Sequence, residues 1–203
     1  MNAASFAPSS SSSGRKAATR SQVCAAANAV FIERGFASPT MEEIAQRAGI
    51  RRSTLYTHFR EKDAILAAIA EDYIHEVREV IAALPGPVPT REQVETWLAH
   101  FAQFVSEHRG PAELIVSTAH LSDAPAPALK FGAQVMAAFA VRLAAFRKAM
   151  EPGETFRQAW AEATLRELGS ALNYRSHHGD VAVARERMRV AAMLFYRFVS
   201  QEP

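Results

Sequence analysis

The sequence predicts an all-α protein with about nine helices. Apolar residues recur at helical spacing from Thr19 almost to the end of the chain. β-Branched residues are scattered, and no segment shows the sustained alternation of apolar and polar residues that is typical of strands. Clusters of Pro, Gly and Asp interrupt the pattern, most sharply at residues 85–89, PGPVP. We expect four helices before this break and five after it.

The composition excludes several classes of protein. Of the 203 residues, 49% are hydrophobic and 22% are charged, which is incompatible with disorder throughout the chain. The only cysteine, Cys24, excludes a disulfide framework and fits a reducing cytosol. The uncharged, mostly apolar stretch at residues 131–141 is too short to span a bilayer. We therefore expect a cytoplasmic protein of one or two domains, with no membrane partner.

Residues 1–16 predict a disordered, Ser-rich tail. Five serines follow one another at residues 9–13, and the segment has too few apolar residues to offset the entropy of ordering. It lacks the basic and apolar regions of a secretory signal. Arg15 and Lys16 form the end of this segment. Two interpretations of the segment stay open: an arm that contacts DNA phosphates, or an inert tail.

The pattern predicts a first helix with an apolar stripe, which ends at Gly35. Val23, Ala27, Val30 and Phe31 are spaced to lie on one face of this helix. Glycine often follows the last turn of a helix because it adopts left-handed backbone angles at little cost.

Two short helices follow. Thr40 and Glu43 have the spacing of a capping box, which predicts the start of the second helix. Gly49 ends that helix, and a third begins at about Arg51. This is the pattern of a helix-turn-helix, in which the second of the two helices enters the major groove of DNA.

The third helix has side chains suited to DNA. Arg51 and Arg52 match guanine edges or phosphates, and the neighbouring hydroxyls and polar aromatics match phosphates and bases. Lys62 begins the fourth helix, so its positive charge lies near a helix N-terminus, an arrangement that suits a phosphate. The predicted DNA contacts are Thr40, Arg51, Arg52, Ser53, Thr54, Tyr56, Thr57, His58 and Lys62.

The charge distribution agrees with a DNA contact at one end of the chain. The formal net charge is only +2. Residues 1–66, however, contain nine Lys/Arg and five Asp/Glu, a charge of +4, and the remainder has a charge of −2. A basic part joined to a slightly acidic part is typical of a protein that binds nucleic acid through one domain.

The segment from about residue 17 to residue 77 resembles the DNA-binding domain of the TetR family of bacterial transcriptional regulators. The resemblance rests on Gly49-Ile50, Leu55-Tyr56, His58-Phe59 and Lys62, and upstream on Phe31, Gly35-Phe36, Thr40-Met41 and Ile44-Ala45. It implies a homodimer that binds a pseudo-palindromic double-stranded operator. It further implies a repressor that a small-molecule effector releases, with residues 78–203 as the effector-binding and dimerisation domain.

The residues of this second part suggest an effector pocket. Its aromatic and Met side chains are at helical spacing, and some polar residues lie on otherwise apolar faces. Plain core packing or solvent exposure remains open for each of them. The candidate ligand-binding residues are Trp97, His100, Phe101, Phe104, Ser117, His120, Met136, Phe139 and Asn173.

The last two helices are candidates for dimerisation because they carry more apolar surface than one helix needs for its own core. The alternative is that these residues all belong to the core of one chain. The candidate dimer residues are Trp160, Thr164, Ala171, Met188, Ala191, Phe195 and Phe198.

No catalytic motif or cofactor loop is present, and we expect neither an enzyme nor a cofactor. His177 and His178 are adjacent, and no pair of histidines has metal-ligand spacing, so we expect no metal. Two other classes of function stay open on the residues alone. One is an all-α enzyme or carrier that uses a buried histidine such as His120, and the other is an interaction protein with a vestigial helix-turn-helix.

Overall fold

The computed structural model describes residues 10–119, 121 and 123–200, with only the backbone of residues 10–12. This part of the chain is all-helical, which confirms the predicted fold class. None of its helices is long and apolar enough to cross a membrane. The ten helices are α1 (Ser10–Arg34), α2 (Met41–Arg47), α3 (Arg52–His58), α4 (Lys62–Ala82), α5 (Arg91–Glu107), α6 (Arg109–Ala119), α7 (Ala126–Arg142), α8 (Ala144–Ala149), α9 (Thr155–His178) and α10 (Ala182–Val199).

The chain forms two units, residues 1–66 and residues 67–203. We expected the division after residue 77, but it comes after residue 66, near the start of α4. The reason is that Tyr73 packs in the second unit, where its ring is stacked with Phe104 and Phe131 at centroid distances of 5.8 and 5.6 Å.

The first helix is longer than the sequence suggests. α1 begins at Ser10, so residues 10–16, which we expected in a disordered tail, are helical. Ala17 and the basic residues before it are good helix formers, and a helix anchored by Val23 and Ala27 adds further turns without a new nucleus. The rest of the predicted tail, residues 1–9, lies outside the described residues.

The core of the first unit forms where α1, α2 and α3 meet. Val23, Phe31, Ile44 and Leu55 are all buried to within 2% of their surface. Burial of side chains of this size stabilises a fold by roughly 1.5–3 kcal/mol each. The apolar stripes that the sequence predicts on these helices therefore hold the unit together.

Local signals fix the ends of the short helices. The predicted capping box at α2 is confirmed, because the Glu43 backbone N–H donates to Thr40 Oγ1 and the Thr40 N–H donates to the Glu43 carboxylate. Gly49 has a φ of +67°, the left-handed conformation that the turn requires. Gln22 Nε2 donates to the carbonyl oxygen of Ala48 at 2.7 Å, which ties the turn to α1.

The second unit has an aromatic core. Phe139, Phe146, Phe195 and Phe198 are almost completely buried, and ring contacts join them to one another. The indole of Trp97 stacks on Phe195 at 5.4 Å and donates its N–H to the carbonyl oxygen of Val80. Helices α4, α5, α7, α8 and α10 thus share one core. α5 also begins with a capping box, which Thr90 and Gln93 form.

One predicted helix is split in two, so the described residues contain ten helices where we expected about nine. The pattern of the sequence predicts one helix over residues 128–150, but the helix breaks at Leu143, which has extended backbone angles. The loop before α5 lies against this break: Pro87 O accepts a hydrogen bond from the Ala144 N–H, and the Arg142 side chain donates to Leu84 O. A Cβ atom at Gly86 would overlap the carbonyl oxygen of Arg142. Where the helix breaks, Pro87 O therefore replaces the helical acceptor of the Ala144 N–H.

Most of the predicted dimer residues lie in the core of the single chain, which corrects their assignment. Thr164, Ala171, Ala191, Phe195 and Phe198 are buried in the second unit, and Trp160 and Met188 are half-buried. The physical reason is that the apolar stripes of α9 and α10 pack on each other and on the aromatic core. Other apolar residues of the two helices are exposed: Phe156, Val183, Val190 and Met193.

Candidate functional site

The first residues of α3 form an exposed basic surface. Arg51, Arg52 and Ser53 are exposed, whereas Leu55 and Phe59 are buried. The helix is therefore fixed by its apolar side, and its N-terminal end is free to enter a groove. A helix N-terminus also attracts phosphate because its backbone N–H groups have no partner within the helix.

Arg52 is held loosely in this surface. Its Nη1 lies 3.4 Å from the Glu42 carboxylate, and its guanidinium lies 5.5 Å from the centre of the Tyr56 ring. Both members of the ion pair are exposed, and such pairs contribute about 0–1 kcal/mol. Arg52 can exchange this partner for a guanine or a phosphate at little cost.

The hydroxyl residues of α3 differ in what they offer. Ser53 and Thr57 are exposed, and Thr57 Oγ1 donates to the carbonyl oxygen of Thr54 at 2.6 Å. That hydroxyl keeps its lone pairs as acceptors, and the Thr57 side chain also carries a methyl group. Thr54 and His58 are half-buried, so their side chains are less accessible to DNA than those of Ser53 and Thr57.

Two predicted DNA contacts are already engaged within the protein. The Thr40 hydroxyl donates to the Glu43 carboxylate at 3.1 Å. Lys62 Nζ donates to the carbonyl oxygens of Phe36 and Ala37 at 3.0 and 2.6 Å. An ammonium group has three hydrogens, so Lys62 keeps one for a phosphate. Its main task in this structure is to hold the loop between α1 and α2.

The acids of the first unit neutralise part of its positive charge. Glu33 pairs with Arg47 and Glu43 pairs with Arg34 at 2.8 and 2.6 Å. A hydrogen bond from the Thr40 backbone N–H, followed by one from Arg34, lowers the pKa of Glu43 to about 2. In the part of the chain that the structure describes, Arg51 makes no ion pair within 4.0 Å. Its charge is therefore available to a ligand.

A cavity of about 640 Å³ lies in the second unit. Its walls are mainly apolar, and α4, α5, α6, α7 and α9 all contribute to them. Gln158, Glu162 and Arg166 also line it, and all three are exposed, which places their polar groups at the rim. This volume is typical of pockets that take drug-sized molecules.

Part of the lining of this cavity was predictable from the sequence. Of the predicted ligand-binding residues, Phe101, Met136, Phe139 and Asn173 line it. The other predicted positions that the structure describes do not, and His120 lies outside the described residues. Trp97 packs in the core, and Phe104 is half-buried with its ring stacked on Tyr73. His100 is exposed, and Ser117 is exposed with its hydroxyl donating to Leu114 O.

Several further residues line the cavity that were not predicted to do so, including Tyr73, Ile115 and Leu172. Tyr73 lies in the same stripe as Ile69 and Val77, a signal that was visible in the sequence. Tyr73 was not predicted to line the cavity because it fell within residues 17–77, which were assigned to the DNA-binding domain. Burial, and then the nearby Glu76 carboxylate, raise the pKa of Tyr73, so its phenol is neutral at pH 7.

Asn173 is the most unusual polar residue of the cavity wall. Its side-chain Oδ1 is buried and has no hydrogen-bond partner among the described residues. Its turn of α9 is held firmly: His177 Nδ1 lies 2.8 Å from the carbonyl oxygen of Asn173, and His177 Nε2 lies 2.8 Å from the Glu113 carboxylate of α6. The described residues contain no group of three or more His, Cys, Asp or Glu placed to hold a metal ion.

The part of the chain that carries the exposed α3 surface is similar to known proteins. Residues 23–69, from α1 to the start of α4, match the family model described as bacterial regulatory proteins, tetR family. The match contains the whole helix-turn-helix and the exposed end of α3.

Named relatives agree with this match. The activator FasR of Mycolicibacterium smegmatis is 29% identical over 105 residues, 51% of this chain and 48% of that protein. The regulator TtgR of Pseudomonas putida is 38% identical over 64 residues, 32% of this chain and 30% of that protein. The repressor KstR2 of Rhodococcus jostii is 35% identical over 80 residues, 37% of this chain and 39% of that protein. The chain therefore matches less than half the length of each.

Solved structures share the fold over nearly the whole chain. A TetR-like transcriptional regulator from Rhodococcus sp. RHA1 has a TM-score of 0.63 at 22% identity, covering 91% of this chain and 97% of that one. A complex of SmeT with triclosan also has a TM-score of 0.63, at 20% identity, covering 92% of this chain and 98% of that one. The helix-turn-helix region, residues 23–69, thus matches the tetR family of bacterial regulatory proteins, and nearly the whole chain has the fold of the solved TetR-like regulator.

Proposed function

We propose that this protein is a sequence-specific DNA-binding transcriptional regulator that places the N-terminal end of α3 in the major groove. The observation that carries this proposal is the exposure of Arg51, Arg52 and Ser53 on a helix that Leu55 anchors from behind. Arg52 supplies a bidentate base or phosphate contact, and Ser53 and Thr57 supply hydroxyls. Thr40, Thr54, Tyr56, His58 and Lys62 flank this surface and contact or orient the DNA backbone.

The direction of regulation that we propose is repression, with release from the operator by a small molecule. KstR2 is named a transcriptional repressor and FasR an activator, so the relatives include both directions. SmeT was solved with triclosan, and this chain contains a cavity of about 640 Å³ in the unit that does not carry the helix-turn-helix. The cavity supports the proposal that a small-molecule effector regulates DNA binding.

We propose further that the protein acts as a homodimer on a pseudo-palindromic operator. The exposed apolar residues Phe156, Val190 and Met193 of α9 and α10 are candidates for the contact between subunits, in place of the buried residues of the same helices. A two-fold symmetric dimer presents two copies of α3 to two half-sites. Its place of action would be the cytoplasm, at the nucleoid when bound to DNA.

The proposal is tested by fluorescence anisotropy with DNA from upstream of the protein's own gene. Arg52→Ala should weaken binding to the specific site by about 1–3 kcal/mol, because a guanidinium contact to a base edge is lost. Arg47→Ala is the matched control, since Arg47 is also exposed and paired with an acid but lies at the far end of α2. Equal effects of the two substitutions would contradict the assignment of α3 as the reading helix.

A further inference from the structure

The chemistry of the cavity wall in the second unit restricts what it can hold. The charged residues that line it, Glu162 and Arg166, are exposed, so the apolar interior carries no buried charge. An ionised ligand would lose its hydration there without gaining a buried partner of opposite charge. The cavity therefore favours a neutral molecule.

The rings in the wall favour a molecule with rings of its own. Tyr73, Phe101, Phe131 and Phe139 all line the cavity. The Tyr73 ring is nearly parallel to those of Phe104 and Phe131, with interplanar angles of 11° and 6°. Stacking fixes the orientation of this wall, and aromatic surfaces attract ring-bearing ligands through offset and edge-on contacts.

Asn173 adds one specific polar requirement to this apolar space. Its buried Oδ1 accepts no hydrogen bond from the described residues, although buried amides are nearly always satisfied. The contacts of His177 with the Asn173 carbonyl oxygen and with Glu113 hold the backbone at this point. The side-chain amide still turns about its last bond, whose rotation is broad, and brings its oxygen or its nitrogen to a ligand.

We propose that the cavity takes a neutral, ring-bearing apolar molecule with a hydroxyl group that hydrogen-bonds to the side chain of Asn173. A hydroxyl suits either orientation of the amide because it donates to Oδ1 and accepts from Nδ2. A carboxylate has no hydrogen for Oδ1 and brings a charge. This inference rests on the proposed function in that it names the chemical class of the effector.

The test compares matched probes on the full chain without DNA. Equilibrium dialysis measures the Kd of 4-phenylphenol, biphenyl and biphenyl-4-carboxylate. Wild-type protein should bind 4-phenylphenol roughly tenfold more tightly than biphenyl, because the phenol completes a hydrogen bond that the hydrocarbon leaves unmade. The carboxylate should bind no more tightly than biphenyl.

Asn173→Leu replaces the amide by an apolar side chain of similar size. This variant should bind the phenol and biphenyl within about twofold of each other, since the phenol then has no partner. The matched control is Asn28→Leu, because Asn28 also carries a buried, unpartnered Oδ1 but lies in the first unit and does not line the cavity. That control should keep the tenfold preference. Circular dichroism checks that both variants are folded.

Four results would overturn the inference. They are equal binding of the phenol and biphenyl by wild-type protein, binding of neither, tighter binding of the carboxylate, or a preference for the phenol that survives in Asn173→Leu. These readouts do not involve DNA. Failure of the wild-type protein to bind the upstream DNA in the anisotropy experiment would refute the proposed function and leave the phenol preference standing, so the two failures are distinguishable.

Discussion

Single residues set how strongly the α3 surface attracts DNA. Glu42 is exposed beside Arg52, so it competes with phosphate for the guanidinium and adds a negative charge near the proposed DNA. In the DNA complex that we propose, Glu42 thereby weakens binding to sequences that offer no specific base contact. An acid at this position favours specificity because it weakens the binding of every DNA sequence by a similar amount. Only a sequence that offers a good base contact regains the lost binding free energy.

This competition predicts the effect of Glu42→Gln. Affinity for unrelated DNA at low salt should rise on the order of threefold, because one repulsion is removed and Arg52 is released. Glu33→Gln is the control: it removes the same charge from the same unit but releases Arg47 instead. Anisotropy titrations compare the two variants. A rise of the same size in both would mean that only net charge matters.

Glu43 predicts a pH dependence of stability. Its pKa of about 2 lies below the usual 4.5, so its ionised form stabilises the folded state. That contribution is complete above about pH 4.5 and is lost as the pH falls towards 2. Wild-type protein should therefore be more stable than Glu43→Gln at pH 7, and the difference should shrink across this window. Urea denaturation followed by circular dichroism measures it. A difference that stays constant down to pH 2.5 would contradict this role.

At the scale of the elements, the turn between α2 and α3 depends on Gly49. Its φ of +67° costs a residue with a Cβ atom about 1–2 kcal/mol. Gly49→Ala should destabilise the protein by this amount in chemical denaturation. Gly14→Ala is the control, because Gly14 lies in α1 with open space around it and without a positive φ. It should be neutral or slightly stabilising, and a larger loss there than at Gly49 would refute the argument.

The sequence allowed local features to be predicted better than distant ones. The capping boxes of α2 and α5 were recognisable because Thr40 with Glu43, and Thr90 with Gln93, are near neighbours in the chain. The break at Leu143 was not predictable, since the hydrogen bonds that replace those of the helix come from the loop around Pro87, more than fifty residues away.

The two faces of a long helix were also hard to separate by periodicity. α10 carries apolar residues on both sides: Phe195 and Phe198 face the core, whereas Val190 and Met193 are exposed. Only the arrangement of neighbouring helices decides which side is covered. For the same reason Phe101 and Trp97, one turn apart on α5, differ in that only Phe101 lines the cavity.

At the scale of the whole molecule, exposed apolar residues on the last two helices predict self-association. Met193 is 57% exposed and Val190 45%. Met193→Glu should shift sedimentation towards the monomer, because an unpaired charge would be buried in the proposed subunit contact. Val141→Glu is the control on α7, where Val141 is 77% exposed. If only the α7 variant dissociates, the contact lies elsewhere on the protein.

The measurement that tests the central claim most directly is the salt dependence of DNA binding by the unaltered protein. DNA from upstream of its own gene is titrated between about 50 and 200 mM salt, beside unrelated DNA of equal length. We predict tighter binding to the upstream DNA, two protein chains per site, and a slope of log K against log salt of about −4 or steeper, as four or more phosphate contacts require. Equal affinity for both DNAs, or a slope near zero, would contradict the account.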